Sequence, residues 1–472
     1  MSASSAVRRD LARVLEAGAL VAEEDHPAYE RGYRYGAGRA LAVARPGSVE
    51  GVRDVVRYCH RHDIPMVAQG ANTGLTGAST PDDSGRQVVV SLERLAGIER
   101  LDVADRSASV MAGARLSRLN AEAQAFGLQF PIDLGADPTI GGMVATNTGG
   151  ARLIRYGDVR RNLLGLEVVL ADADASMVSM MRGLRKDNSG VDLKQVFVGT
   201  GGAFGIVVRA RLELHPVPVQ TMTAFVTPRD HGDIPAILTL LDQRLGDFLS
   251  ACEGLSRNAI RAAVKAHPAL RNPFADAIPP YVLLVELTTG AGSGSGVDLV
   301  GLFGEALAES LQGTERLIED VVIARPAEAW ALRHAVSDGL KALGRVIGID
   351  VAVPRSRLPD FRREALAFMA AEHPYLTVCD FGHCGDGGDH FNIVWPPGAG
   401  PDDFVGVSAR VRAGVYRIAV AQNGGTFSAE HGVGPVNRET YCAWTAPGER
   451  LAAKLLKSHF DPKGLLGNVD LT

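Results

Sequence analysis

Three glycine-rich stretches in the first half of the chain constrain its fold more than any other feature. They are residues 69–77 (QGANTGLTG), 131–150 (PIDLGADPTIGGMVATNTGG) and 198–207 (VGTGGAFGIV). A loop of small residues at the end of a strand lets consecutive backbone amides turn toward one anion, as a diphosphate requires. Residues 69–77 match neither GxGxxG nor a Walker A sequence, and alone they read equally well as a tight turn. Gly141, Gly142, Asn147, Gly149 and Gly150 in the second stretch change that balance, because three such loops in one domain exceed what turn chemistry needs. A dinucleotide cofactor is the expectation.

The 472 residues suffice for two large domains or about three of ordinary size, and 46% apolar with 22% charged residues is a globular composition. The formal charge is −5, with no block of like charge, which argues against nucleic acid or an anionic membrane surface as partner. A small-molecule ligand fits better. Five cysteines without a CxxC pair suggest neither a disulfide framework nor a thiolate zinc site. No apolar run reaches about 18 residues, so the expected location is cytoplasmic.

Ser48 caps a helical pattern of Val49, Val52, Val56 and Cys59, and an apolar strand at 64–68 then enters the first glycine loop. Strands are predicted at 88–92 and 107–111. A helix follows with Leu116, Leu119, Ala123 and Phe126 inward and Gly127 as its stop. Glycine density falls after residue 218, giving a first domain over 1–218, an α+β substrate domain with an antiparallel sheet over 219–425, and a segment 426–472 returning to the first.

Residues 376–395 (LTVCDFGHCGDGGDHFNIVW) read as two strands around a Gly-Asp-Gly-Gly turn, which brings His383 and His390 to one edge of a hairpin. A lone histidine is usually structural; two flanking such a turn can share a cation. Glu430-His431-Gly432-Val433-Gly434 adds a carboxylate and a third imidazole. Two histidines and one carboxylate leave open positions on a divalent metal for a bidentate 2-hydroxy acid.

The glycine stretches, together with KDNSGVDLKQVFVGTGGAFGIV, resemble the FAD-binding domain of the vanillyl-alcohol-oxidase superfamily, and within it the D-lactate, D-2-hydroxyglutarate and glycolate dehydrogenases. The resemblance spans about residues 40 to 465. It implies an α+β architecture: a two-part FAD-binding domain with an inserted α+β substrate (cap) domain. It also implies the diphosphate on loop 69–79, with Gln69, Gly70, Ala71, Asn72, Thr73, Gly74, Leu75, Ala78 and Ser79. The flavin would lie against Thr139, Ile140, Gly141, Gly142, Thr146, Asn147, Gly149 and Gly150, flanked by Pro131, Leu134, Gly135, Tyr156 and Gly157. Ile206 and Val207 would lie near the adenine. Loop 69–79 holds no His or Cys, so the FAD is expected to be noncovalent.

By the same resemblance His383, His390 and Glu430 hold the metal, zinc first and then manganese or magnesium. His431 takes the hydroxyl proton, Arg333 pairs the substrate carboxylate, and Ser337 and Asn392 complete the site. The substrate implied is a D-2-hydroxy acid, and the electron acceptor an electron-transfer flavoprotein, a quinone or a cytochrome. A homodimer is compatible with this reading. The chain departs from the family at Gly201, where Glu is usual, at Gly388, where Asn is usual, and at Gly348, where a lysine is usual; Asp389 is an extra acid expected beside the site. Separated His383 and His390 favour redox chemistry over group transfer of the ether-lipid alkyl transferase kind, and over flavin binding without turnover.

Overall fold

The computed structural model describes residues 3–274, 277–313 and 316–472. The chain divides into two compact units, one of residues 1–149, 157–217 and 430–472 and the other of 150–156 and 218–429. No helix among the described residues is long and apolar enough to cross a membrane.

The first unit is built on two sheets. Strands Ala40–Ala44, Gln87–Ser91 and Met66–Gln69 form a parallel sheet with Gln87–Ser91 in the middle. Helix Val49–Arg61 connects two of them: Ser48 accepts a hydrogen bond from Gly51 N at 3.0 Å, and Val52, Val55, Val56 and Cys59 are buried along one stripe. An antiparallel five-stranded sheet runs in the order Ile98–Asp102, Ser107–Met111, Ile206–Glu213, Leu163–Val169, Met177–Met180. The predicted helix after it is Leu116–Gln124, stopped by Gly127 at φ +68°. Phe126 does not face inward. It lies beyond the last helical turn and is 57% exposed. The C-terminal residues return to the parallel sheet, where Met66 donates to Leu465 and Gly467 donates to Met66, so Leu465, Leu466 and Val469 complete this core.

The second unit carries an antiparallel sheet in the order Ile318–Ala324, Gln220–Pro228, Tyr281–Thr289, Leu249–Ser256, Thr377–Gly382, Gly388–Trp395, Arg345–Ile347, with Asp350–Ala352 also paired to Gly388–Trp395. Helices Arg257–Ala266 and Pro326–Leu343 bury Ala259, Ala263, Leu332 and Val336 against Phe225, Leu255, Leu284 and Phe381 on one sheet face. Helix Leu358–Glu372 serves the opposite face through the Phe361–Phe391 ring pair.

Within this unit, residues 150–156 are anchored by one buried carboxylate. Glu286, 1% exposed, accepts from Arg152 Nε at 2.7 Å, Arg152 Nη2 at 3.0 Å, Trp330 Nε1 at 2.6 Å and Ser250 Oγ at 2.7 Å, with the Arg152 guanidinium 4.8 Å from the Trp330 ring centre. Removing one partner of a buried pair strands the others, so Glu286→Ala is expected to lower stability by about 3–5 kcal/mol. Urea unfolding checks this. A change below about 1 kcal/mol, the range of exposed pairs, would show that the network carries little.

Candidate functional site

In the first unit, residues 70–79 leave the strand Met66–Gln69 and form neither helix nor strand. None of their ten backbone N–H groups donates to a protein acceptor among the described residues. A run of unsatisfied amides is the donor set a diphosphate needs. The loop is held open by its own side chains. Gln69, 2% exposed, donates from Nε2 to Tyr29 O at 2.9 Å and Ser79 O at 2.7 Å, spanning the loop's two ends. Asn72, at φ +56°, donates to Arg31 O and accepts from Ser79 Oγ at 2.8 Å. A Cβ at Gly70 would come within 2.1 Å of Thr139 Oγ1, so only glycine lets this loop lie against the start of the next helix.

That helix, Ile140–Thr146, begins with Thr139 as its cap and ends at Asn147 in the left-handed region, φ +49°. Asn147 donates to Asp158 Oδ2 at 2.8 Å and accepts from Arg160 N at 2.9 Å, which fixes residues 147–149. Ahead of the helix, Pro131, Leu134 and Gly135 sit in irregular chain, and Thr146 Oγ1 bonds Gly142 O at 3.0 Å. Gly149 and Gly157 belong to this unit, Gly150 and Tyr156 to the other. Ile206 and Val207 are 0% and 5% exposed in a sheet strand, so their side chains are core. Gly201 has a local explanation: at φ +61° it donates to Ala145 O at 2.7 Å, and a Cβ there would meet Val469 Cγ2 at 2.7 Å.

Glu430 and His431 open the last stretch of this unit. Three residues on, Gly434 packs against Thr76, where a Cβ would lie 2.5 Å from Thr76 O, and Val436 N donates to that oxygen at 3.3 Å. The segment carrying His431 is thereby tied to the loop of unsatisfied amides.

In the second unit the predicted hairpin forms, Thr377–Gly382 pairing with Gly388–Trp395. The turn closes on His383 O, which accepts from the amides of Asp386, Gly387 and Gly388 at 3.1, 3.1 and 3.0 Å. Gly387 has φ +92° and Gly388 lies 3.1 Å from the His383 Cβ at its virtual Cβ, so small residues are what the turn accepts there. The rings of His383 and His390 meet edge to face, centres 5.0 Å apart. Asn392, two residues along the strand, projects to the same face as His390.

Each of these imidazoles is backed by a buried carboxylate. His383 Nδ1 lies 2.9 Å from Glu253 Oε1, and His390 Nδ1 lies 3.6 Å from Asp350 Oδ1. Glu253 also accepts from Arg333, whose Nε and Nη2 both reach Oε2 at 2.7 Å, and the guanidinium stacks over Phe381 at 4.7 Å. Burial works to raise the pKa of Glu253, but His383 and Arg333 outweigh it and bring the carboxyl to about 2, so it is ionised. Arg333, 8% exposed, is therefore no surface helix arginine. Ser337, one turn later, is exposed. Gly348 falls between two short strands.

Asp389 lies on the strand face opposite His390, shared with Asp380 and Phe391, and stays within electrostatic reach of His383. There burial and then Asp380 push its carboxyl well above the usual range, which keeps it protonated, while Asp380 pairs with Arg362.

Glu253 and Asp350 were missed by sequence reasoning. Glu253 had a signal: an acid alone in the strand LSACEGLS, all eight of whose residues are buried. Its partners stand 80 and 130 residues away.

Comparison with known proteins gives concordant results. A family model described as "FAD binding domain" matches residues 40–179, and one described as "FAD linked oxidases, C-terminal domain" matches 218–469. The chain is 32% identical to a bovine mitochondrial D-2-hydroxyglutarate dehydrogenase over 91% of its own length and 76% of the relative's. It is 33% identical to a D-2-hydroxyglutarate dehydrogenase of Xanthomonas citri pv. viticola over 90% and 88%. Among solved structures, p-cresol methylhydroxylase with substrate bound superposes with a TM-score of 0.73 at 16% identity, covering 99% of this chain and 95% of that one. An alkyldihydroxyacetonephosphate synthase reaches 0.73 at 15%, covering 98% and 85%. At such identities the structural likeness concerns fold alone.

Proposed function

The chain belongs to the FAD-linked oxidases and is an FAD-dependent 2-hydroxy-acid dehydrogenase, and on that basis we propose that it oxidises a D-2-hydroxy acid to the 2-oxo acid with the help of a divalent cation. When bound, FAD supplies a two-electron acceptor and the cation a Lewis acid for the substrate hydroxyl. The unsatisfied amides of residues 70–79 fit the FAD diphosphate, and the absence of His and Cys from that loop supports noncovalent attachment. The donor set of His383, His390 and, by the family's Glu-His-Gly motif, Glu430 suits zinc, with manganese and magnesium as alternatives.

The observation that carries this reading is the paired imidazoles, each with a carboxylate at Nδ1. A neutral imidazole held that way offers its Nε2 lone pair to a cation. Arg333 keeps its Nη1 end clear of protein partners among the described residues, which suits a substrate carboxylate. His431 accepts the hydroxyl proton, and we assign Asn392 and Ser337 to the substrate side on the resemblance of their motifs. With carboxylate and hydroxyl both held, only one hand of the substrate would aim its C2 hydrogen at the flavin, D by resemblance. Gly348 removes the family's second cation, so the acid preferred need not carry a second carboxylate. The electron acceptor is assigned to the same three classes, an electron-transfer flavoprotein, a quinone or a cytochrome.

Anaerobic addition of D-2-hydroxyglutarate or D-lactate is expected to bleach the flavin spectrum, with the L acids much slower. Acid precipitation is expected to leave the flavin in the supernatant. Equal bleaching by both hands sinks the stereochemical assignment, and colour retained in the pellet sinks noncovalent attachment.

A further inference from the structure

We propose that Glu253, which lies outside the motifs read from the sequence, is a positioning residue that sets the tautomer of His383 and so the affinity for the cation, while locking Arg333 in place beside it. The inference rests on the metal reading above. Glu253 Oε2 is paired with the Arg333 guanidinium at 2.7 Å, and a carboxylate held in such a pair only accepts hydrogen bonds. Glu253 Oε1 at 2.9 Å from His383 Nδ1 therefore requires the proton on Nδ1, and in the neutral ring this leaves the lone pair on Nε2. Its other oxygen takes both Arg333 donors, so one side chain fixes two groups drawn from a helix and a hairpin.

The arrangement has no slack. Glu253 is 1% exposed, in a strand whose neighbour Gly254 pairs with Gly382 immediately before His383, so the carboxylate and the imidazole are tied through the sheet ladder as well as through the hydrogen bond. Neutral imidazole ligands commonly have such an outer carboxylate, which raises ligand basicity and orients the ring. Asp350 stands in the equivalent place for His390, but at 3.6 Å it holds that ring less tightly. The ring expected to depend most on its carboxylate is His383.

The test is Glu253→Gln, which keeps the shape. The amide oxygen is expected to stay with the two Arg333 donors, placing the amide nitrogen against His383 Nδ1. The amide N–H then donates to Nδ1, which becomes the acceptor, the proton moves to Nε2, and the lone pair facing the cation is lost. Zinc titrated into metal-free holoenzyme against a chromogenic chelator is expected to bind about 10- to 100-fold more weakly than in wild type, with flavin content unchanged. In metal-free wild type, selective ¹⁵N-histidine labelling is expected to show His383 protonated at Nδ1, assigned by the signal lost in His383→Gln. This readout needs no Glu253 variant to fold. Wild-type zinc affinity in Glu253→Gln, or a wild-type His383 protonated at Nε2, overturns the proposal. Wild type that binds no zinc overturns the metal reading itself, and is recognised before any variant is compared.

Discussion

His431→Ala is expected to lower turnover on a D-2-hydroxy acid by on the order of 10²-fold or more, while FAD remains bound. The size follows from what a positioned proton acceptor contributes, typically 10²- to 10⁴-fold. Two observations support the choice of this residue. It follows Glu430 in a Glu-His-Gly run that resembles the family's motif, and its segment is tied to residues 70–79 through Gly434 and Val436 on Thr76. Losing the imidazole should leave those contacts in place, since both lie at least three residues beyond it. Flavin content and thermal stability should then match wild type, and the defect should sit in the reductive half-reaction. Stopped-flow measurement of flavin bleaching under anaerobic conditions isolates that step. A variant that bleaches at the wild-type rate would remove His431 from the chemistry.

Removal of the cation is expected to have the larger effect. Lewis-acid polarisation of a hydroxyl is worth several kcal/mol, so chelation should reduce turnover by about 10³-fold and leave the flavin spectrum intact. His383→Ala and His390→Ala should each reproduce the chelated state, and added zinc should restore the chelated wild type but neither variant. His383 and His390 already face one another at 5.0 Å between ring centres. Two imidazoles in contact, each with a carboxylate at Nδ1, are a poor structural device on their own, which is the physical reason for expecting a ligand there. Elemental analysis that finds no metal, together with a rate indifferent to chelator, would return both histidines to a structural role.

Much of the fold was legible locally. Ser48, the periodic valines after it and the turn at residues 383–387 announce a capped helix and a hairpin because capping, helical spacing and glycine in the left-handed region act over a few residues. Alternation in Gly388–Trp395 was equally readable, and it separates Asp389 from His390 without any further information.

The amino-acid sequence alone determined the residue types and the loops that present them: the glycines of 69–77, the imidazoles at 383 and 390, the carboxylate and imidazole at 430 and 431. Tertiary structure decided which side chains stand behind them. Glu253 reaches Arg333 across 80 residues and His383 across 130, and Glu286 draws Arg152 from 134 residues away. Such pairings depend on sheet register and on which strands become neighbours, for which a buried acid in an apolar strand gives only the hint that some partner exists. The same holds for Gly201, whose fit against Val469 is created by the return of the C-terminal segment. Local propensities act through the backbone over a turn or two. Burial of charge is resolved only when the whole core closes around it.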